Sequence, residues 1–490
     1  MALLPLLGGF YTARGLIAGA QRCVNLYPEI NPKDSPTPVT CQLTPGLTLL
    51  QSGPLQLPWR GLYFANNGQL FGVLGGIVYL IGNNFALTPI GAIPTRFTPV
   101  SMVDNGSVLV LVDGSSSGWS YTFNTATFTQ ITDPNFQGGD FVTYIDGFFI
   151  LNVPGSQAFY TSLANSLTFS GLYTAAKSGS ADNLVAIAAV HRELWLIGAR
   201  TSEVWSDAGN PTGVSFSPIP GVFLQHGCAA KYSVAQYNLQ LFWLSQDNNG
   251  QALVLEGSNY AAKDISTPAL SEAIRKYEVI SDAIGFIYQQ DNHVFYVLSF
   301  PSANKTWSYD LTTQLWHERV YIDSNGNEGR IRANCTAFAY GQNVVGDWQN
   351  GNLYSFDLDN ATDNGNPVIR RRGFPHAVKD GKLVFHNQFI ARFQTGNVPE
   401  GVGSVTQQPN AAAQSAPQNE PEVFLRWSDD RGNSWGIPVE QSLGATGQYN
   451  LRPSWRDLGQ TDDRVYELFW SDPAMTALDG AWVDSVPLAV

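Results

Sequence analysis

From about residue 55 to about residue 375 the sequence repeats one rhythm: a strand-length run, a turn rich in Gly, Asn or Asp, and a second run. Examples are Gln69 to Leu74, Ile77 to Ile81, Ser107 to Val112, Phe141 to Tyr144, Phe148 to Val153, Leu194 to Gly198, Leu239 to Ser245, Ala252 to Glu256, Val294 to Phe300 and Asn352 to Asp357. Runs this short, separated by residues that tolerate positive φ, pair with their neighbours as hairpins. Composition agrees. Charged residues are 14% of the chain, against a usual value of about 25%. Aromatics reach 12%, with 47 Gly and 28 Pro among the 490 residues. Branched and aromatic side chains fit a pleated surface, and glycine supplies the turns. Disorder, coiled coil and collagen are excluded, and an all-β fold is predicted.

Two distant segments can be laid over each other. Trp119-Ser-Tyr-Thr-Phe-Asn-Thr-Ala-Thr-Phe-Thr matches Trp307-Ser-Tyr-Asp-Leu-Thr-Thr-Gln-Leu-Trp-His, and weaker copies start near Val78 and Leu353. A strand with aromatics, a polar turn and a second aromatic strand describe the outer hairpin of a propeller blade. At roughly 40 to 50 residues per blade, a span of about 320 residues predicts six to eight blades. Closing blades into a ring suits a chain with few charges, because little strand edge is left to guard.

The flanks differ. Prolines at 28, 32, 36, 38 and 45 block any long helix in the first fifty residues, so residues 1–54 read as an extended N-terminal arm with its lead-in. The β-propeller is expected over 55–375 and a C-terminal β-sandwich over 376–490. Residues 396–422 contain almost no large apolar side chains and are expected to form a mobile loop inside that sandwich. Ser266 to Tyr277 breaks the strand rhythm, with apolar residues at 270, 273, 274 and 277, so a short helix capped by Ser266 or Thr267 is expected there.

Net charge is −13. Such a surface repels a phosphate backbone instead of releasing its counterions, so gripping DNA is disfavoured, whereas letting DNA slide past is not. Cys23, Cys41, Cys228 and Cys335 match no zinc or redox spacing and read as buried free thiols. None of the six histidines forms a helical i, i+4 pair, and neither a Gly-x-Ser-x-Gly elbow nor a phosphate loop occurs. No catalytic, metal-binding or cofactor-binding residue is nominated, and no cofactor is expected. The opening apolar stretch lacks a basic leader, and no run reaches the roughly 18 residues that span a bilayer. A soluble chain made in a reducing cytosol is expected.

Ser428-Asp-Asp430-Arg-Gly432-Asn-Ser-Trp435 resembles the Asp-box of sialidase-like propellers. There Asp430 would accept backbone N–H bonds across the turn, Gly432 would take positive φ, and Trp435 would cover the hairpin face. That is a structural turn; the competing reading is a sialidase-like glycoside hydrolase or a glycan-binding propeller acting on host surface sugars. Arg370-Arg371-Arg372 is the dense basic cluster of an otherwise acidic chain and reads as a partner contact.

Three segments together resemble the packaged-DNA stabilisation proteins, the tail hub or nozzle family of short-tailed bacteriophages. The first is Arg14, then Ala20-Gln-Arg22-Cys-Val-Asn-Leu-Tyr27-Pro-Glu29 and Thr44-Pro-Gly-Leu47. The second is Ser271 to Tyr277, then Asp282 to Gln289 and Phe295 to Pro301. The third is Leu425 to Trp435, then Gly444, Gly447, Tyr449, Arg452, Trp455 to Gly459 and Asp463 to Val465.

The resemblance covers nearly the whole chain in order and implies a propeller with a sandwich, and no catalytic residues. It also implies a homo-hexameric ring below the portal and adaptor proteins that retains packaged DNA and passes genomic DNA non-specifically on ejection. That ring would carry the tail needle and spikes or fibres, in a virion tail assembled in the bacterial host cytoplasm, without membrane insertion. Arg14, Arg22 and Tyr27 join Arg370, Arg371 and Arg372 as expected partner contacts. Deleting residues 1–25 is expected to leave a folded chain that no longer joins its tail. The loop at 396–422 is a departure from the family pattern.

Overall fold

The computed structural model describes residues 2–12, 14–16, 19–210, 212–246, 252–379, 381–395, 420–445 and 447–488. Residues 396–419, most of the expected mobile loop, lie outside them.

Among the described residues six four-stranded antiparallel sheets, and a seventh set of four strands that is part of a larger sheet, succeed one another around the fold. Their first strands are Trp59–Phe64, Ser101–Asp104, Val142–Ile145, Leu184–Val190, Ala235–Tyr237, Ile284–Gln290 and Ala333–Ala339. These strands line the middle of a ring, and the first strand of the seventh sheet packs against that of the first. The result is a β-propeller of seven blades, numbered here in chain order. Blades pack through apolar side chains: Phe71, Val73, Leu109, Leu111, Trp119 and Tyr121 fill the gap between blades one and two. The superposable segments are the outer hairpins of blades two and six, Gly118–Thr122 with Thr127–Gln130 and Lys305–Asp310 with Leu315–Arg319. Asp291 and Asn292, with φ of 47° and 63°, make the two-residue turn between the first strands of blade six. Short polar side chains are the non-glycine residues that best tolerate this region.

The expected helix is Pro268–Arg275, capped by Thr267, whose hydroxyl accepts from the Leu270 N–H at 3.2 Å. Leu270 and Ile274 face the core between blades five and six.

The chain's start corrects two expectations. Residues 1–54 are not a separate arm: Gly46–Gln51 is the outer strand of blade seven, antiparallel to Leu353–Asp357, and closes the ring. Gly46 is required there, since a Cβ would lie 2.2 Å from the Asn360 carbonyl oxygen. Upstream, Cys23–Val24 pairs in parallel with the outer strand of blade six on one side and antiparallel with Arg370–Gly373 on the other. The sheet then continues through Asp463–Trp470 and Glu422–Ser428 to Val439–Ser442, so blade six and one face of the sandwich are a single ten-stranded sheet.

The facing sheet contains Ser454–Arg456, Val384–Phe393, Leu478–Pro487, Val39–Leu43 and Leu26–Ile30, and Ala2–Leu3 is added to Leu478–Pro487. Between the two sheets lie Cys23, Cys41, Phe389, Trp455, Tyr466 and Trp470. The sandwich thus begins before residue 376 and takes four strands from the expected arm, Ala2–Leu3, Cys23–Val24, Leu26–Ile30 and Val39–Leu43. Prolines forbid helix but leave extended pairing open, and the pairing partners lie hundreds of residues away, beyond the reach of local pattern.

Candidate assembly surfaces

The propeller and sandwich are joined by a ladder of alternating charges. Arg22 lies between the two short strands at the junction and donates from Nε to Glu318 Oε1 at 2.9 Å and from Nη2 to Glu318 Oε2 at 2.7 Å. The same Nη2 donates to Glu328 Oε2 at 3.1 Å, and Glu328 Oε1 lies 3.1 Å from Arg371 Nη1. Arg371 reaches Glu467, which in turn accepts from Arg426 Nε at 2.8 Å. Burial works against the charge on Arg22, but Glu318 and Glu328 outweigh it and raise its pKa. Burial would likewise raise Glu328, yet Arg22 and Arg371 hold its carboxyl low. Each charge is compensated by a neighbour of opposite sign, the condition for keeping ions in a poorly solvated junction.

Asn25 completes the joint. Its Nδ2 donates to the carbonyls of Val320 and Ile369, each at 2.8 Å, and its Oδ1 accepts from Val320 N–H at 3.0 Å. Nothing in the local pattern distinguished it; its φ of 51° is a tertiary fact.

The expected partner contacts divide. Arg370 and Arg372 are 1% and 0% exposed, which removes them from the surface role expected for the basic cluster. Arg372 donates to the carbonyls of Gly8 at 2.7 Å and Leu6 at 3.0 Å, and Arg370 to that of Asp472 at 3.0 Å. Burial lowers Arg370 to about 10. Arg371 and Arg22 belong to the ladder. Tyr27 is buried, its ring 4.9 Å from that of His293 and 5.1 Å from that of Phe295. Arg22, Arg371 and Tyr27 hold the chain's own two domains together, whereas the bonds of Arg370 and Arg372 stay with the sandwich and the chain's start. Arg14 is the exposed member of the set, and its charge reaches Glu272, a carboxyl held low mainly by Arg275.

At the Asp-box, Asp430 Oδ1 accepts from Ser434 N–H at 2.8 Å and from the Ser428 hydroxyl at 2.6 Å, and Oδ2 accepts from the Ser434 hydroxyl at 2.6 Å. Gly432, at φ 95°, donates to Ser428 Oγ at 2.7 Å. These bonds hold the Asp430 carboxyl at about 2. Trp435 is partly exposed and stacks under Arg426 at 4.7 Å. The carboxylate is engaged by its own turn, a geometry for holding a hairpin. Cys23, Cys41 and Cys228 are buried, Cys335 partly so, and all four are free. Among the described residues no group of three or more His, Cys, Asp and Glu is placed to hold a metal, and no helix is long and apolar enough to cross a membrane.

Surface is available elsewhere. Between sandwich and propeller runs a cleft of about 710 Å³, lined by Tyr27, Glu29, Asp291 and Asp359 among others. At the start of the chain, Leu3 and Leu7 are 46% and 54% exposed beside an apolar groove of about 240 Å³.

Solved structures similar to the chain include the computationally designed Ika8 protein, at 11% identity over 69% of this chain and 100% of that one, with a TM-score of 0.37. Two others are WD40 domains. That of Doa1 has 10% identity, covering 63% of this chain and 96% of its own, with a TM-score of 0.40. That of RRP9 has 11%, covering 64% and 98%, also with a TM-score of 0.40. No curated protein matches the chain. Two family models do: the β-propeller of bacteriophage P22 Gp10 over residues 2–361, and its β-sandwich over residues 374–485. The first match starts at residue 2, inside the strand that the structure adds to the sandwich, and the two follow each other in the order of the interlocked domains. The chain belongs to the family of bacteriophage P22 Gp10 and is a structural, tail-hub protein of a phage.

Proposed function

We propose that this chain forms a six-membered ring below the portal and its adaptor, retains packaged DNA, and serves as conduit for ejection and platform for the tail needle and spikes or fibres. The observation that carries the reading is the match to both Gp10 domains, in order, across nearly the whole chain. The interlocked architecture supports it: a sheet shared by propeller and sandwich makes one stiff unit, suited to bearing load in a tail. The chemistry supports a structural part without catalysis, since the box carboxylate and the basic cluster are engaged inside the chain.

Net charge supports passage over gripping. A wall that repels phosphate limits sticking as DNA moves. Electron microscopy of the purified protein, alone and mixed with the portal and adaptor proteins of its own phage, tests the proposal. Six-fold density added below the portal is expected, and a monomer that ignores the connector refutes it. Reversing acidic residues that face the axis of that ring should slow DNA ejection; unchanged kinetics would remove the electrostatic part of the reading.

A further inference from the structure

Blade five is preceded by a single 3₁₀ turn, Lys231–Ser233, whose Lys231 and Tyr232 side chains reach beyond their own blade. Ser233 anchors it: its hydroxyl accepts from Leu244 N–H in blade five at 2.9 Å, and its carbonyl accepts from Tyr296 Oη in blade six at 2.8 Å. From that anchor Lys231 extends to Asp140, just ahead of blade three, with Nζ 2.5 Å from Oδ1. Tyr232 lays its ring 5.7 Å from that of Phe141. Its hydroxyl reaches the end of the second strand of blade two, where a Cβ added to Gly114 would lie 3.6 Å from Tyr232 Oη and 2.8 Å from Asp140 Oδ1.

The blade order decides what this means. In a closed ring of seven, blade five is flanked by four and six; it meets blades two and three only across the middle of the ring. We infer that the Lys231–Tyr232 turn is a cross-channel latch, closing the propeller's mouth at the face where the innermost strands begin and tying blade five to blades two and three.

The receiving side is built in advance. Asp140 Oδ2 accepts from Asn152 Nδ2 at 3.0 Å, while Asp140 N–H and Phe141 N–H donate to Asn152 Oδ1 at 3.0 and 2.9 Å. Gly114 N–H donates to the Gly139 carbonyl at 2.8 Å, holding the two loops together. Beyond them Arg60 of blade one lies 3.5 Å from Asp113, both side chains fully buried. Burial works against the charge on Lys231, but the hydrogen bond and charge of Asp140 together with Tyr232 outweigh it and raise its pKa, so the ammonium stays charged. The ring thus has two fastenings: the outer strand Gly46–Gln51 at the rim and this turn at the centre. The seven innermost strands carry two charged residues, Arg60 and Asp104, each 2% exposed. A channel that is neutral along its wall and barred at one mouth carries nothing through a single chain, and whatever the subunit guides passes over its outer surface. The latch does not depend on the proposed six-membered ring.

Hydrogen exchange on the full-length protein tests it. Lys231→Met and Asp140→Asn should each speed exchange by on the order of tenfold in segments 110–116 and 139–145, remote in sequence from residue 231. The double variant should be no faster than the faster single one, and Lys231→Arg should restore protection. If only 231–237 speeds up, or the double variant shows the product of both effects, the latch is wrong. Tyr232→Leu keeps the ion pair and covers the case in which Lys231→Met does not fold. It too must raise exchange at 139–145, and wild-type protection there overturns the inference.

Discussion

Replacing Asn25 by Ala should loosen both domains at once. Asn25 is 1% exposed, and its amide supplies three hydrogen bonds, two to carbonyls at 2.8 Å and one from an N–H at 3.0 Å. Removing it leaves those groups in an interior with little water, at about 1–1.5 kcal/mol each, the lower half of the usual range for an unsatisfied group. Ala at a φ of 51° adds about 1 kcal/mol of backbone strain. The sum is about 4–6 kcal/mol.

For a chain of this length the unfolding entropy is about 1 kcal/mol per degree, so a cooperative melt should fall by about 4–6 °C. Asn25→Gly removes the strain and should be milder by about 1 kcal/mol. Asn25→Asp should be the worst of the three, because it sets a carboxylate against two carbonyl oxygens. Scanning calorimetry and urea unfolding read the order. A melt within 1 °C of wild type for Asn25→Ala, or Asp as mild as Gly, would refute the reasoning.

Deleting residues 1–25 removes the strand Ala2–Leu3, the partners of Arg372, and both Arg22 and Asn25. This reverses the folded but tail-incompetent chain expected from the sequence: the truncated chain should lose its cooperative calorimetric transition, and recovery of a fully folded protein would show the start of the chain to be dispensable. Glu467→Gln leaves Arg371 and Arg426 facing a neutral group at a 1%-exposed position, and should cost about 3 kcal/mol in urea unfolding.

Two histidines predict acid sensitivity. Burial, helped by Arg464, lowers His386 to about 4, and burial with Arg319 lowers His317 to about 3. Both folded values lie below the unfolded value of about 6.5, so the unfolded chain takes up protons that the fold refuses. Stability is full above about pH 6.5 and falls as pH drops toward 4 and then 3, by at most about 3 kcal/mol for His386 and about 5 kcal/mol for His317. His317→Phe, at a site where neither ring nitrogen has a partner, should flatten that slope in urea midpoints taken from pH 4 to 8. An unchanged slope would mean that the acid loss comes from elsewhere.

The hairpin rhythm, the aromatic outer strands and the helix Pro268–Arg275 were legible because each depends on neighbours within about twenty residues. Trp119 and Trp307 announced two blades, and Thr267 before Pro268 announced a helix start. Ser428, Asp430 and Gly432 sit in a turn whose bonds span at most four residues. What the local pattern misplaced shares one cause. Arg370 and Arg372 look like a surface cluster until Cys23–Val24 and Asp463–Trp470 close over them from opposite sides. Tyr27 looks like an exposed aromatic until blade six is packed against it.

By itself the sequence determined that this chain would be built of hairpins, that a ring of blades would be followed by a second β domain, and that it would carry a strong negative charge. Only the tertiary structure decided that the first fifty residues belong to both domains, that the basic cluster is internal, and that Lys231 and Tyr232 cross the ring to blades two and three. The physical reason is range. Turn preference, strand alternation and capping are set by adjacent residues, whereas the partner of Val24, of Arg22 or of Lys231 is chosen by which distant strands close over it.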